Sequence, residues 1–388
     1  MKPVVLHVGK GYWPTLGGME TITRQLAEGA VSKGYEVKVL AFGGAFSRER
    51  LNDVEVIRVP TLFTFGRAPV SHLFRRTFLD LVRAADIVHF HYPNPLAELS
   101  WLTVPKNERK KKLSICTYQS DPLKPELLLP LYLGLTKRFL KNCSHIVASS
   151  EQYRASSPVL SQFDERVRII PLGVETDWGS DITESSREAA LDLLSGLPSP
   201  RMLFSGRFVY YKGLEYLLRA LGRVKGVSCV LVGDGPRRKA LEKLSLDLGL
   251  TERVLFTGHL DDGLYSAVYE NADIFVLPSV FRTEAFGLVA LEAMNAGMPI
   301  ITTELGTATS VYNLDGKTGY VIKPLDIKEL ADRISTLAFD PELRNKMGTA
   351  ARNHVRDNYS AEKMSRQYLD LYEKGLRKVL LQGREVVL

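Results

Sequence analysis

The sequence predicts an α/β protein built from two doubly wound, Rossmann-like parallel sheets. Three observations predict it. Short apolar runs alternate with amphipathic helical stretches in two successive series, the pattern of repeated βαβ units. The runs are apolar through most of their length, as strands covered by helices on both faces should be. The length of 388 residues exceeds one ordinary domain and suits two, each with its own core.

In the first series the strand-like runs are 4–8, 37–41, 54–59, 86–91, 113–118 and 145–149. Between the first two, Ile22, Leu26 and Ala30 lie on one helical stripe that Gly34 ends. The second series has runs at 201–205, 227–232, 254–257, 273–277, 299–303 and 319–322. Its first helix carries Leu214, Leu217, Leu218, Leu221 and Val224 on one face. The pattern breaks at 171–192, so the linker is expected near 171–177 and the domains at 1–172 and 173–360. A last helical stretch, 361–379, follows once the second sheet is complete.

The formal net charge is +7 and charged residues make up 24%. That balance admits nucleotide diphosphates, acidic lipid surfaces or nucleic acid as partners, and ordinary solubility accounts for it equally well. Cys116, Cys143 and Cys229 are scattered without metal-ligand spacing, which reads as a reduced, cytoplasmic protein. The N-terminus reads as a first strand rather than a signal peptide. No apolar run approaches the ~18 residues of a membrane span, so any membrane contact is expected to be peripheral.

Doubly wound sheets bind ligands at the carboxyl ends of their strands, and a cleft between two such domains is the expected site. Three loops leaving strands stand out. The first, GKGYWPTLGG at 9–18, runs into a helix. Gly17 and Gly18 would let the backbone approach a phosphate at a helix N-terminus, although such a pair is more often a plain turn. The second holds Gly206, Arg207, Lys212 and Gly213. Its two cations can neutralise a departing diphosphate without a metal, or can be two solvated charges. The third is TEAFGLVALEAMNAGMP. From Ala285 to Ala296, Glu292 is the only charged residue, on a helix apolar on nearly every side. Leu288 and Ala296 flank it at i−4 and i+4, so no intrahelical ion pair explains it. A buried carboxylate without a partner is costly, and ligand hydroxyls would supply the missing bonds. Glu284 and the free N–H groups of Ala285, Phe286, Gly287 and Leu288 are expected to face the same place.

Other signals are weaker. No Asp-x-Asp pair occurs, so no metal site is expected, and Asp261-Asp262 reads as a helix cap. His89 and His91 alternate with Val88 and Phe90 at a strand end, where only one would point into a given face; His7 reads as core. The run 106–112 reads as a solvated loop. Two stretches, 63–78 and 129–141, mix basic and apolar residues. They are equally ordinary helix faces or a surface that rests on an anionic membrane.

These features together resemble the large retaining family of GT-B glycosyltransferases, family 4, over nearly the whole chain. The likeness rests on GGME at Gly17–Glu20, GRFVYYKG at Gly206–Gly213, GDGP beginning at Gly233, and the segment from Val276 to Ile301 with Glu284 and Glu292. The resemblance implies that Glu292 binds the ribose of the donor and Glu284 the transferred sugar. It implies that Arg207 and Lys212 hold the diphosphate, with Gly17 and Gly18 closing over it, and that the final helix, 361–388, returns to the first, acceptor-binding domain. VHFHYPNP, TYQSD and ASSEQYRASSPVL resemble bacterial mannosyl- and rhamnosyltransferases of O-antigen assembly more narrowly. Those relatives carry His where Gln119 stands. Asp121 in the same loop could contact sugar or acceptor, and His91 is a further candidate for such a contact.

The function so implied is retaining, metal-independent transfer of a hexose, mannose from GDP-mannose above all. The acceptor is a lipid-linked or oligosaccharide chain in surface polysaccharide synthesis, with no cofactor beyond the nucleotide-sugar substrate. The enzyme is expected in the cytoplasm, peripheral on the inner face of the membrane, without nucleic acid. A UDP-sugar donor, a sugar-nucleotide epimerase on the same fold, and a non-catalytic carbohydrate- or nucleic-acid-binding protein are the alternatives. On this reading Glu292→Gln weakens nucleotide diphosphate binding, whereas Glu284→Gln leaves it nearly unchanged and lowers turnover.

Overall fold

The protein is described from a computed structural model covering residues 2–15, 17–65, 68–122 and 129–385. It divides into two compact units. The first comprises Met1–Leu172 with Ala361–Leu388, the second Gly173–Ser360.

The first unit holds strands β1 (Val4–Val8), β2 (Glu36–Gly43), β3 (Ser47–Leu51), β4 (Val54–Pro60), β5 (Phe63–Phe65), β6 (Ala68–Val70), β7 (Ile87–Tyr92), β8 (Leu113–Tyr118), β9 (His145–Ala148) and β10 (Val167–Ile169). Eight of them form one sheet in the order β10-β9-β8-β7-β1-β2-β4-β3, and β5 and β6 make a separate two-stranded hairpin. All pairs in the large sheet are parallel except β3 with β4. The strand order reverses between β1 and β7, where Val5 pairs with Ile87.

The second unit holds β11 (Arg201–Ser205), β12 (Ser228–Val232), β13 (Val254–Gly258), β14 (Ile274–Leu277), β15 (Ile300–Thr303) and β16 (Gly319–Ile322). Their order is β13-β12-β11-β14-β15-β16, parallel throughout. The reversal falls between β11 and β14, where Leu203 pairs with Phe275. Loops leaving strands on either side of such a reversal diverge and open a crevice for a ligand.

The expected helical stripes face the cores. Ile22, Leu26 and Ala30 on Gly18–Ser32 are buried, as are Leu214, Leu217, Leu218 and Leu221 on Leu214–Leu221. Ala361–Glu385 joins the first unit through buried Met364, Tyr368 and Tyr372. Burial of each such side chain contributes about 1.5–3 kcal/mol. Gly375 lies so close to β8 that a Cβ there would meet Leu113 Cδ1 at 2.5 Å.

Three sequence expectations need correction. Lys106–Lys110 is a helix, not a loop; it buries no residue, so no apolar stripe announced it. β3, β5, β6 and β10 were not anticipated because β5, β6 and β10 have only three residues each and β3 is almost wholly polar. His89 and His91, two residues apart on β7, point to the same face, as the two-residue strand period requires, and their rings stack at 4.7 Å.

Candidate functional site

In the second unit the site grows from the ends of β11, β12 and β14. Gly206 and Gly233 have φ of +137° and +118°. A Cβ on Gly233 would meet the Gly206 carbonyl oxygen at 2.3 Å, so the two loops touch backbone to backbone and glycine is required. The chain then turns through Tyr210–Lys212. Lys212 Nζ lies 2.5 Å from Glu284 Oε2, and the two residues are only 9% and 6% exposed. Ser279 Oγ donates to the same carboxylate oxygen at 2.9 Å. Arg207 is exposed. The second loop therefore offers one free-standing surface cation and one enclosed cation already matched by a carboxylate.

Glu284 is followed by a turn at Gly287, with φ +76°, which caps the helix Leu288–Ala296. The cap residue is a glycine and offers no side chain to the helix's first N–H groups. Ala285 and Phe286 are buried at 6% and 5% exposure. The Phe286 ring packs 5.5 Å from Tyr312, and the Ala285 carbonyl accepts from Ala308 N at 3.2 Å. Their side chains are core, which leaves the backbone of the turn as what they can present.

Glu292 is half-buried, and desolvation pushes its carboxyl above the ordinary carboxylate range. It is not partnerless, as its neighbours in sequence implied. Tyr265 Oη donates to its Oε2 at 2.8 Å. Tyr265 stands on the neighbouring helix Asp262–Glu270, outside the i±4 spacing a single helix reveals. Asp261 caps that helix by accepting from Leu264 N at 2.9 Å.

In the first unit Gly17 and Gly18 are exposed at the start of Gly18–Ser32, a helix with no side-chain cap. Asp121 is buried, and its Oδ1 accepts from Tyr118 Oη at 2.9 Å and Ser157 Oγ at 2.6 Å. Both polar atoms of the Gln119 amide are buried without a hydrogen-bond partner among the described residues. His91 is fully enclosed: its Nε2 lies 3.0 Å from His7 Nδ1, while its own Nδ1 is buried without a hydrogen-bond partner among the described residues. His89 is held by Tyr372 Oη at 2.6 Å and Thr117 Oγ1 at 2.7 Å. Burial lowers His7 to about 3 and holds His89 and His91 well below the ordinary histidine range. The three rings bring nitrogens within 4.8 Å of one another, but both nitrogens of His89 are committed to hydroxyls. The cluster is a neutral network that ties β1, β7, β8 and the last helix together.

Sequence reasoning missed Tyr265 and Glu98. Glu98, on Pro95–Thr103, is 1% exposed. It accepts from Asn94 N at 3.1 Å, Tyr132 Oη at 2.6 Å and Thr136 Oγ1 at 3.3 Å, and burial raises its carboxyl to about 7. The signal was available: Glu98 is the only charged residue between His91 and Lys106, the same isolation that marked Glu292.

Two doubly wound units, each with its strand-order reversal, are the architecture of the GT-B fold. Sucrose-phosphate synthase from Thermosynechococcus elongatus shares the fold with a TM-score of 0.78 and 23% identity, over 96% of this chain and 99% of that one. The Anabaena protein Alr3699/HepE, solved with UDP and glucose, does so with a TM-score of 0.77 and 18% identity, over 96% and 100%. The sequence model for glycosyl transferases group 1 matches residues 192–354, and that for Glycosyltransferase Family 4 matches 16–178. O-antigen chain mannosyltransferase C of Escherichia coli is 33% identical over 95% of this chain and 97% of its own. D-rhamnosyltransferase WbpZ of Pseudomonas aeruginosa is 33% identical over 92% of each. The chain belongs to the family 4 glycosyltransferases.

Proposed function

We propose that the protein transfers mannose, with retention and without a metal, from GDP-mannose to a lipid-linked or oligosaccharide acceptor in surface polysaccharide synthesis. The observation that carries this reading is the enclosed Lys212–Glu284 pair at the strand-order reversal of the second unit. A fixed cation beside a fixed carboxylate suits a substrate that joins an anionic leaving group to a hydroxyl-rich ring. Lys212, with Arg207, takes the diphosphate and stabilises the charge that develops as it leaves. Glu284 orients the sugar, Glu292 accepts from the ribose hydroxyls, and the backbone of Gly206, Gly233 and Ala285–Leu288 lines the donor. In the first unit, the unpartnered amide of Gln119 and the fixed carboxylate of Asp121 meet the sugar or acceptor. The exposed backbone at Gly17 and Gly18, at the start of a helix, suits a phosphate.

Mannose is supported by the relative that is a mannosyltransferase, and the relative that is a D-rhamnosyltransferase makes rhamnose the alternative sugar. A lipid acceptor is supported by the exposed Leu62, Phe63 and Phe65 around the β5–β6 hairpin, with Arg75 and Arg76 exposed on the helix that follows. Arg67 of the same stretch lies outside the described residues. No described helix is long and apolar enough to cross a membrane. The test is incubation with GDP-mannose, GDP-rhamnose and UDP-sugars against lipid-linked acceptors in excess chelator. Sugar transfer from GDP-mannose that survives chelation supports the reading; hydrolysis or epimerisation alone, or a strict metal requirement, refutes it.

A further inference from the structure

Three hydroxyl groups converge behind Glu292. Tyr265 Oη lies 2.8 Å from Glu292 Oε2, 3.1 Å from Ser205 Oγ and 2.6 Å from Tyr269 Oη. A phenol has one proton to give and two lone pairs. With that proton on Glu292, Ser205 and Tyr269 must donate to Tyr265, so the direction of the network is set. Ser205 is the last residue of β11, immediately before Gly206 and Arg207. The network therefore joins the phosphate loop, the helix Asp262–Glu270 and Glu292.

We propose that Tyr265 is a positioning residue for nucleotide recognition: its hydroxyl, oriented by Ser205 and Tyr269, holds Glu292 as an ionised acceptor whose Oε1 is left for a ribose hydroxyl. This rests on the assignment of Glu292 to the ribose. The physical need is clear from the surroundings. Burial favours the neutral acid, and the Tyr265 bond is the contact that opposes it. A neutral carboxylic acid would turn one oxygen into a donor and lose acceptor strength toward a diol. Tyr265 and Tyr269 are the titratable groups facing Glu292 from their helix. From the helix Pro341–Asn358, Arg352 reaches the Asn295 and Ala296 carbonyls at the far end of Leu288–Ala296 instead. Strands β14 and β15 bring only Ile274–Leu277 and Ile300–Thr303, with no charged side chain.

The test is calorimetry of GDP binding from pH 5.5 to 8.5 on the full chain, comparing wild type, Tyr265→Phe, Glu292→Gln and the double variant. Phenylalanine keeps the ring and removes only the hydroxyl, and Ser205→Ala provides a second, milder perturbation of the same network. Tyr265→Phe should weaken GDP binding about tenfold at pH 7, the scale of one hydrogen bond to a charged group. The loss should deepen as pH falls, because the carboxyl then protonates at higher pH. In the Glu292→Gln background the same substitution should add little and show no pH dependence. A merely structural role would give additive losses and an unchanged pH profile, and that result overturns the proposal. Wild-type binding by Tyr265→Phe alongside weakened binding by Glu292→Gln overturns it while leaving the ribose assignment intact. Wild-type binding by Glu292→Gln overturns both.

Discussion

Glu284→Gln isolates the charge of one carboxylate. Glutamine keeps an oxygen for the bonds from Ser279 and Lys212 and removes only the negative charge. An anion held ~3 Å beyond Lys212 Nζ would lie ~5.5 Å from that carboxylate, and at an effective dielectric of about 20 the two would repel by about 3 kcal/mol. Relaxation and solvent leave roughly half of this, equivalent to a Kd for GDP about tenfold tighter in the variant. Turnover should move the other way, falling about 10²- to 10³-fold as the sugar loses its orienting group. Calorimetry with GDP and steady-state kinetics on the same preparation read both effects. This revises what sequence alone implies, namely nearly unchanged GDP affinity, because sequence does not show that Glu284 and Lys212 pair. GDP affinity that is unchanged or weaker in Glu284→Gln refutes the idea that the carboxylate competes for Lys212.

Four further perturbations test separate parts of the reading. Arg207→Ala should lower turnover by about 10²-fold without moving the unfolding midpoint, since Arg207 is exposed. Lys212→Ala should lower turnover and also cost about 3 kcal/mol of stability, because it strands the buried Glu284; equal midpoints for the two variants would contradict this. Glu98 is raised from 4.5 to about 7, so its stabilising contribution is complete below pH 4.5 and is lost as pH rises through about 7. Glu98→Gln should therefore gain on wild type by up to about 3 kcal/mol between pH 5 and pH 8.5, and urea denaturation at the two values checks the sign. Replacing Phe63 and Phe65 by Ser, with Arg75 and Arg76 by Ala, should abolish salt-sensitive binding to anionic liposomes and leave GDP affinity unchanged; wild-type liposome binding by that variant removes the membrane surface from the reading.

The fold class was legible because strands and helices announce themselves through local periodicity, and the covered strands of both sheets are apolar almost throughout. The failures have the same origin. Ser47–Leu51 is polar and half exposed, and Lys106–Lys110 buries nothing, so neither carries a periodic apolar signal. Glu292 was legible as an isolated charge on an apolar helix, and Glu98 carried the same signal unread.

What the sequence determined by itself is therefore the two-sheet architecture, the glycine turns at the strand ends, and the charged residues that stand at those turns. Which of these groups meet was decided only in three dimensions. The alignment of β11 beside β14 brings Lys212 against Glu284. The packing of one helix beside the next puts Tyr265 on Glu292, and the last helix brings Tyr372 to His89 across 283 residues of chain. Packing against His7 and His89 is what buries His91. Residue spacing reports what lies on one face of one element. Hydrogen-bond partners, charge compensation and enclosure depend on strand order and helix packing, and they are set by side chains that are distant in sequence.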